Sequence, residues 1–226
     1  MDTSKVVIVG ATGMVGGLAL RYALSDPEVS SVTAIVRRST GQEDPKLQEI
    51  GRRDFMNFRS MEAELLGHDV ALFCLGAYTG TVPDAEFKKI TVDYTVSFAE
   101  AFFSASPLAS FCLLSGKGAD MTGRSRVPFA RYKGMVEKSL LAKGFPRVHI
   151  FRPGYIYPVT PRQEPNLAYR LMRPLYPLAR RIYPNIGITS EDLARAMLQA
   201  GLTGTPGRAS PILENRDIRR FLAGPT

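Results

Sequence analysis

Gly10, Gly13 and Gly16 stand three residues apart directly after the aliphatic run Val6-Val7-Ile8-Val9. Glycine at that spacing lets a backbone turn tightly and approach a pyrophosphate with no Cβ in the way. Met14, Val15, Leu18 and Tyr22 then recur with helical period, so a helix is expected to begin at the glycines. Its unpaired N–H groups and positive dipole end would face the phosphates. Strand, glycine turn and helix in that order separate a dinucleotide-binding motif from a chance glycine triplet. Thr12, Met14 and Val15 lie in the same turn and join the three glycines as candidate cofactor-binding residues.

The end of the next strand decides which dinucleotide is expected. A site selective for NAD places an acid about 20 residues after the glycines, where it binds the ribose 2′-hydroxyl. Here the strand Val32-Thr33-Ala34-Ile35-Val36 runs into Arg37-Arg38-Ser39-Thr40, with no carboxylate. Guanidinium forks match phosphate oxygens and stay charged, so Arg37 and Arg38 point to a 2′-phosphate and to NADP(H). The competing reading is an exposed basic turn on a basic protein.

These residues need a scaffold, and the hydropathy pattern supplies one. Strand-like runs occur at 6–9, 32–36, 70–75, 110–114 and 147–152, with a weaker one near 54–58. Helical patterns fall between them at 14–24, 60–66, 86–105 and 127–143. Strict alternation implies right-handed crossovers and a parallel sheet covered on both faces. The expected fold is α/β, a doubly wound parallel (Rossmann) sheet with a small C-terminal substrate-side lobe. We read residues 1–226 as a single NAD(P)-binding domain. Its stretch 153–187 is irregular because Pro153, Pro158, Pro161, Pro165, Pro174, Pro177 and Pro184 interrupt it. Short helices near 166–173 and 177–183 are expected there. Thr189-Ser190-Glu191-Asp192 then opens a helix with a hydroxyl cap and first-turn acids, and that helix is expected to stop at Gly201. Pro211-Ile212-Leu213 reads as an edge strand, and Asn215 as the cap of a last helix through Leu222.

The chain has 226 residues, enough for one well-packed domain. Its net charge of +8 suits anionic ligands, yet the cations are scattered apart from the Arg170–Arg181 segment. No nucleic-acid-binding motif accompanies them, so nucleic acid is not an expected partner. That basic segment reads most simply as a solvated face, with an acidic-substrate lip or a membrane-surface stripe as alternatives. Cys74 and Cys112 lie inside aliphatic strands and read as inert buried thiols. His68 and His149 are isolated, so no metal site is expected. Neither a targeting segment nor a membrane span is legible, and the expected compartment is cytoplasmic.

The carboxyl ends of the strands carry Gly76-Ala77-Tyr78-Thr79-Gly80, Ser115-Gly116-Lys117-Gly118 and Arg152-Pro153-Gly154-Tyr155, with Lys133 on a nearby helix. Gly10-Ala11-Thr12-Gly13-Met14-Val15-Gly16, Gly67-His68-Asp69-Val70, Cys74-Leu75-Gly76, Val92-Asp93, Leu113-Leu114-Ser115, Lys117-Gly118-Ala119-Asp120, Lys133-Gly134 and Phe151-Arg152-Pro153-Gly154 resemble the atypical short-chain dehydrogenases. The closest branch is the Tat-interacting-protein oxidoreductase group of small NADPH-binding proteins, matched over about residues 5–200. Gly76 and Ala77 belong to a small-residue loop able to lie close to an adenosine or ribose, and the resemblance implies further cofactor contacts from Ser115, Lys133, Pro153 and Gly154, with the lysine holding the nicotinamide ribose. It also implies a catalytic Ser, Tyr and Lys, with the Tyr four residues before the Lys. Ser115 and Lys133 match the first and last of these, but Phe129 occupies the tyrosine position.

Positions 129 and 133 lie about 40° apart around a helix and share a face, whereas Tyr132 lies about 100° from Lys133. Tyr155 is therefore the leading substitute acid, with Tyr157 and Tyr78 behind it. Two functions follow from this reading. One is an NADP(H)-dependent oxidoreductase acting on a small carbonyl or unsaturated substrate with a non-standard proton donor. The other is a catalytically weak or inactive NADP-binding sensor or scaffold that contacts a protein partner. A nucleotide-sugar epimerase or dehydratase is disfavoured by the short chain. A homodimer is compatible with all of these.

Overall fold

The computed structural model describes residues 3–77, 80–159 and 186–224. Strand β1 (Ser4–Val9) lies at the centre, because Val6, Val7, Ile8 and Val9 are all completely buried. It pairs in parallel with β2 (Val29–Val36) on one side and β4 (Val70–Phe73) on the other. With β3 (Leu47–Gly51), β5 (Ser110–Leu114), β6 (Arg147–Arg152) and β9 (Ile212–Glu214) this makes a seven-stranded sheet of order β3-β2-β1-β4-β5-β6-β9. Every pairing is parallel, which gives the doubly wound α/β architecture.

Side chains alternate across the sheet, so each strand feeds two cores. Val6 and Ile8 join α1 (Met14–Ser25) and α6 (Ser190–Thr203) on one face. Val7 and Val9 join Phe73, Phe98, Phe102 and Phe111 on the other, beneath α4 (Tyr94–Ala105) and α5 (Pro128–Leu141).

Several elements differ from the sequence reading for identifiable reasons. The edge strand beside β2 is β3 at 47–51 rather than 54–58, since an edge strand tolerates the polar pair Gln48 and Glu49. Phe55 and Phe58 instead pin a loop into the aromatic core, their rings 5.5 Å apart and edge to face. The helix expected at 60–66 is a 3₁₀ turn, Arg59–Met61, followed by α2 (Glu62–Leu65). The helix expected at 86–105 is α3 (Asp84–Lys88), a π-helical turn (Lys89–Asp93) and α4 in succession.

Toward the C-terminus, Thr189 caps α6 as expected, its Oγ1 accepting the Asp192 N–H at 3.0 Å. Gly201 does not end that helix. A Cβ there would sit 2.4 Å from Val70 Cγ1, so the glycine lets α6 lie close on the sheet, and the helix runs on to Thr203. The last helix, α7 (Asn215–Ala223), is capped by Glu214 and Asp217 in a reciprocal box, not by Asn215. The carboxamide Oδ1 of Asn215 accepts the Gly154 N–H at 3.1 Å instead. Of the irregular stretch 153–187, β7 (Tyr155–Tyr157) pairs in parallel with β8 (Gly187–Thr189). The expected short helices, Arg170–Arg181 and Tyr78 lie outside the described residues.

Both histidines are built into the packing. His68 Nε2 lies 2.9 Å from Thr33 Oγ1 and Nδ1 lies 3.2 Å from the Leu65 carbonyl, and burial lowers its pKa. His149 is 5% exposed, and burial, with the Arg147 cation adding to it, pushes its pKa down to about 4 from 6.5. The unfolded chain therefore binds the extra proton across that window, and stability is lost as pH falls from about 6.5 toward 4. At about 1.4 kcal/mol per pKa unit the loss approaches about 3 kcal/mol. Urea midpoints measured across this range should fall steeply for the wild type and less steeply for His149→Leu. Parallel curves would exclude His149 as the cause.

Candidate active site and dinucleotide groove

The glycine turn is dictated by chain crowding as much as by any ligand. Gly10 adopts φ +89°, and a Cβ on it would lie 2.8 Å from the Leu75 nitrogen. A Cβ on Gly16 would lie 2.2 Å from the Gly10 carbonyl oxygen. Gly13 is the exposed N-cap of α1, and no side chain caps that helix or places an acid in its first turn. The helix thus presents its N–H groups and positive end, uncompensated, to a groove of about 900 Å³.

Ala11, Thr12, Gly13 and Met14 floor the groove, and Arg21, Arg38, Ser39, Thr40 and Gln42 line it. Of the expected arginine pair, Arg38 is in place, while Arg37 is exposed and is not among the lining residues. The second cation is Arg21 of α1, on the helix face shared by Met14, Gly17 and Leu18. That spacing of three, four and seven residues was visible in the sequence and marks one face. Thr40 donates both its N–H and its hydroxyl to Glu49, which lowers the Glu49 pKa and commits the threonine proton away from the groove.

A second cavity of about 220 Å³ adjoins the groove, and Gly13 and Met14 line both. Val15, Cys74, Leu75, Gly76, Ala77, Leu114, Ser115, Phe129, Lys133 and Ile156 complete its wall. The two form one track from Arg21 and Arg38, past the open helix N-terminus, to Lys133. A dinucleotide fits that layout: cations at one end, backbone donors in the middle, and a small apolar chamber with one ammonium at the other.

In the chamber, Lys133 Nζ donates to the Leu114 carbonyl at 3.1 Å. Burial lowers its pKa to about 8, against the opposing pull of the Glu137 carboxylate. Phe129 lies where a Cβ on Gly116 would come within 2.5 Å of its Cζ, and its ring stacks on Phe87 at 6.5 Å. Tyr132 points away, its hydroxyl donating to Asp84 Oδ2 at 2.7 Å. Burial pushes the Cys74 thiol up to about 12, so it stays protonated and unreactive, and the Cys112 thiol is raised as well.

Four residues expected at the site do not line the chamber. β7 turns Ile156 to it, and strand alternation sends Tyr155 and Tyr157 to the opposite face. Pro153 and Gly154 are tied into backbone contacts. The Pro153 carbonyl accepts the Lys117 N–H at 2.9 Å, and a Cβ on Gly154 would lie 2.8 Å from the Ile186 oxygen. Neither lines the track.

Sequence reasoning missed Glu137 and the partnership it makes. Ser115 donates its hydroxyl to Glu137, which is fully buried and gripped by Arg152, with Nε at 3.0 Å and 3.1 Å from the two carboxylate oxygens. The one available signal was its position, four residues after Lys133 on the same helix.

The fold is a Rossmann-type doubly wound sheet, and its likeness is to NAD(P)-binding proteins. Residues 5–102 match the family described as semialdehyde dehydrogenase, NAD binding domain. The chain is homologous to protein HTATIP2 of Rattus norvegicus, with 29% identity across 96% of this chain and 89% of that one. The resemblance to the Tat-interacting-protein branch is thereby borne out. Protein FMP52, mitochondrial, of Candida albicans is 30% identical over 65% of each chain. Among solved structures, a short chain dehydrogenase from Burkholderia cenocepacia in complex with NADP superposes with TM-score 0.62 at 13% identity, covering 94% of this chain and 87% of that one. The Bordetella bronchiseptica enzyme WbmH in complex with NAD+ gives TM-score 0.65 at 15% identity, covering 90% and 73%. Among the described residues, no helix is long and apolar enough to cross a membrane.

Proposed function

We propose that this protein is an NADP(H)-dependent reductase of a small carbonyl or unsaturated compound, with Lys133 as its proton source. One observation carries the reading. Lys133 is the group lining the chamber, among the described residues, whose proton moves near neutral pH, and it sits at the far end of the dinucleotide track. Arg38 and Arg21 support the choice of NADP over NAD, since both reach the groove end where a 2′-phosphate would lie.

Bound NADPH supplies the hydride. Gly13 and the first turn of α1 hold the pyrophosphate, and Met14, Leu75 and Ile156 keep water from the chamber. Lys133 delivers the proton that the reduced substrate needs, while the Leu114 carbonyl steadies its ammonium. The protonated lysine is the competent form, so the rate should be highest well below pH 8 and fall as pH rises through about 8. Single-turnover oxidation of NADPH with small aldehydes, ketones and enones, followed across that range, tests this. A flat profile would remove Lys133 as donor.

A second reading has its own support: a cofactor-holding sensor or scaffold with little turnover. Phe129 replaces a phenol, and the Ser115 proton is already given to Glu137. Absence of NADPH oxidation with every carbonyl tried, at full cofactor occupancy, would favour it. The compartment is also a proposal. The sequence expectation is the cytoplasm, the fungal relative carries a mitochondrial name, and fractionation of the tagged chain decides between them.

A further inference from the structure

The chamber's hydrogen-bonding polarity follows from Glu137. Its carboxylate is completely buried and accepts from Arg152 at both oxygens. A guanidinium so paired stays charged and carries only donors, and a carboxylate beside it only accepts. The hydrogen between Ser115 and Glu137 is therefore the serine's own, and a hydroxyl has just one. The Ser115 backbone N–H is committed as well, to the Phe151 carbonyl at 2.8 Å. Toward the chamber that it lines, Ser115 offers lone pairs and no proton. The side-chain donor in the same chamber is the Lys133 ammonium, which spends one hydrogen on Leu114 and keeps two. Met14, Val15, Leu75, Phe129 and Ile156 make the remaining wall largely apolar. The chamber is small, about 220 Å³.

We infer that the substrate is a small hydroxycarbonyl compound, its carbonyl oxygen accepting from Lys133 and its hydroxyl donating to Ser115. Ser115 then selects the substrate as an acceptor, and Glu137, held by Arg152, is the positioning residue that sets this polarity. The inference rests on the reading of the chamber as the substrate site, but not on turnover.

The test is an equilibrium comparison of two near-isosteric probes: tert-butyl methyl ketone, and its analogue in which one tert-butyl methyl is replaced by hydroxyl. Neither can be oxidised by NADP+, so both are titrated against the NADP+-saturated protein by calorimetry or ligand-observed NMR. The quantity read is the ratio of the two dissociation constants, in wild type and in Ser115→Ala. Loss of the acceptor should shift that ratio about five- to tenfold against the hydroxyketone. Glu137→Gln, where circular dichroism shows it folded, frees the serine proton and should move the ratio in the same direction. Ser115→Ala carries the test by itself if Glu137→Gln does not fold. An unchanged ratio in Ser115→Ala would overturn the inference. Binding of neither probe would overturn it together with the placement of the substrate site. A shifted ratio in a protein that never oxidises NADPH would uphold the polarity and sink the reductase reading, so the two failures are distinguishable.

Discussion

Phe129→Tyr raises the rate of NADPH oxidation by small ketones by up to about 10²-fold, the low end of a positioned general acid's usual contribution, because Lys133 already supplies a proton in the wild type. The expectation rests on what surrounds the ring. Phe129 and Lys133 lie one turn apart on α5 and line the same chamber, so a phenol there meets a lysine already shifted to about 8. A cation at that distance favours the phenolate and draws the phenol's pKa toward neutrality. The Cβ position of Gly116 lies straight ahead of the ring, 2.5 Å from Cζ, so the added oxygen presses on the Gly116 backbone, and the ring or the loop after β5 must shift to admit it. Phe87 stacks on the ring and should keep it facing the chamber, so cofactor affinity should change little while thermal stability falls slightly from the tighter packing. Stopped-flow oxidation at saturating NADPH reads the effect. A rate unchanged from wild type would mean that the chamber does not present carbonyls to this helix, and would favour the sensor reading.

Arg21→Ala combined with Arg38→Ser weakens NADPH binding about 100-fold and leaves NADH binding nearly unaltered. Each guanidinium that pairs with a phosphate contributes about 1.5–3 kcal/mol, and about 1.4 kcal/mol is a factor of ten. Both side chains reach the groove from exposed positions, which puts each single change at the low end, about tenfold. Arg37→Ser serves as the control, because Arg37 does not line the groove. Fluorescence titration of both dinucleotides compares the wild type with the two single variants, the double variant and the control. Equal losses for NADPH and NADH would show that the arginines act on the shared phosphates rather than on the 2′-phosphate. A larger effect from Arg37 than from Arg21 would reverse the assignment made here.

Buried elements were the most legible parts of this chain. A central parallel strand must be apolar on both faces, so Val6-Val7-Ile8-Val9 could only be read one way. The edge strand β3 escaped because an edge position places no such demand on Gln48 and Glu49. Gly201 is ambiguous in the sequence because helix-stopping and close packing call for the same residue, and only contact with Val70 separates them. Arg37 and Arg38 are neighbours of one type, and the direction of the chain after β2 chose between them.

By itself, the sequence determined the α/β class, the glycine turn, the helix that opens from it, and the absence of a phenol four residues before Lys133. Each is a local property of residue type and spacing, with period two or 3.6. Tertiary structure decided what those residues do. The parity of β7 put Ile156 in the chamber and Tyr155 outside it. The packing of α5 on β6 joined Glu137 to Arg152, fifteen residues apart, and so turned the Ser115 proton away from the substrate. Direction and partnership depend on which surfaces meet, and no spacing within a single element encodes that.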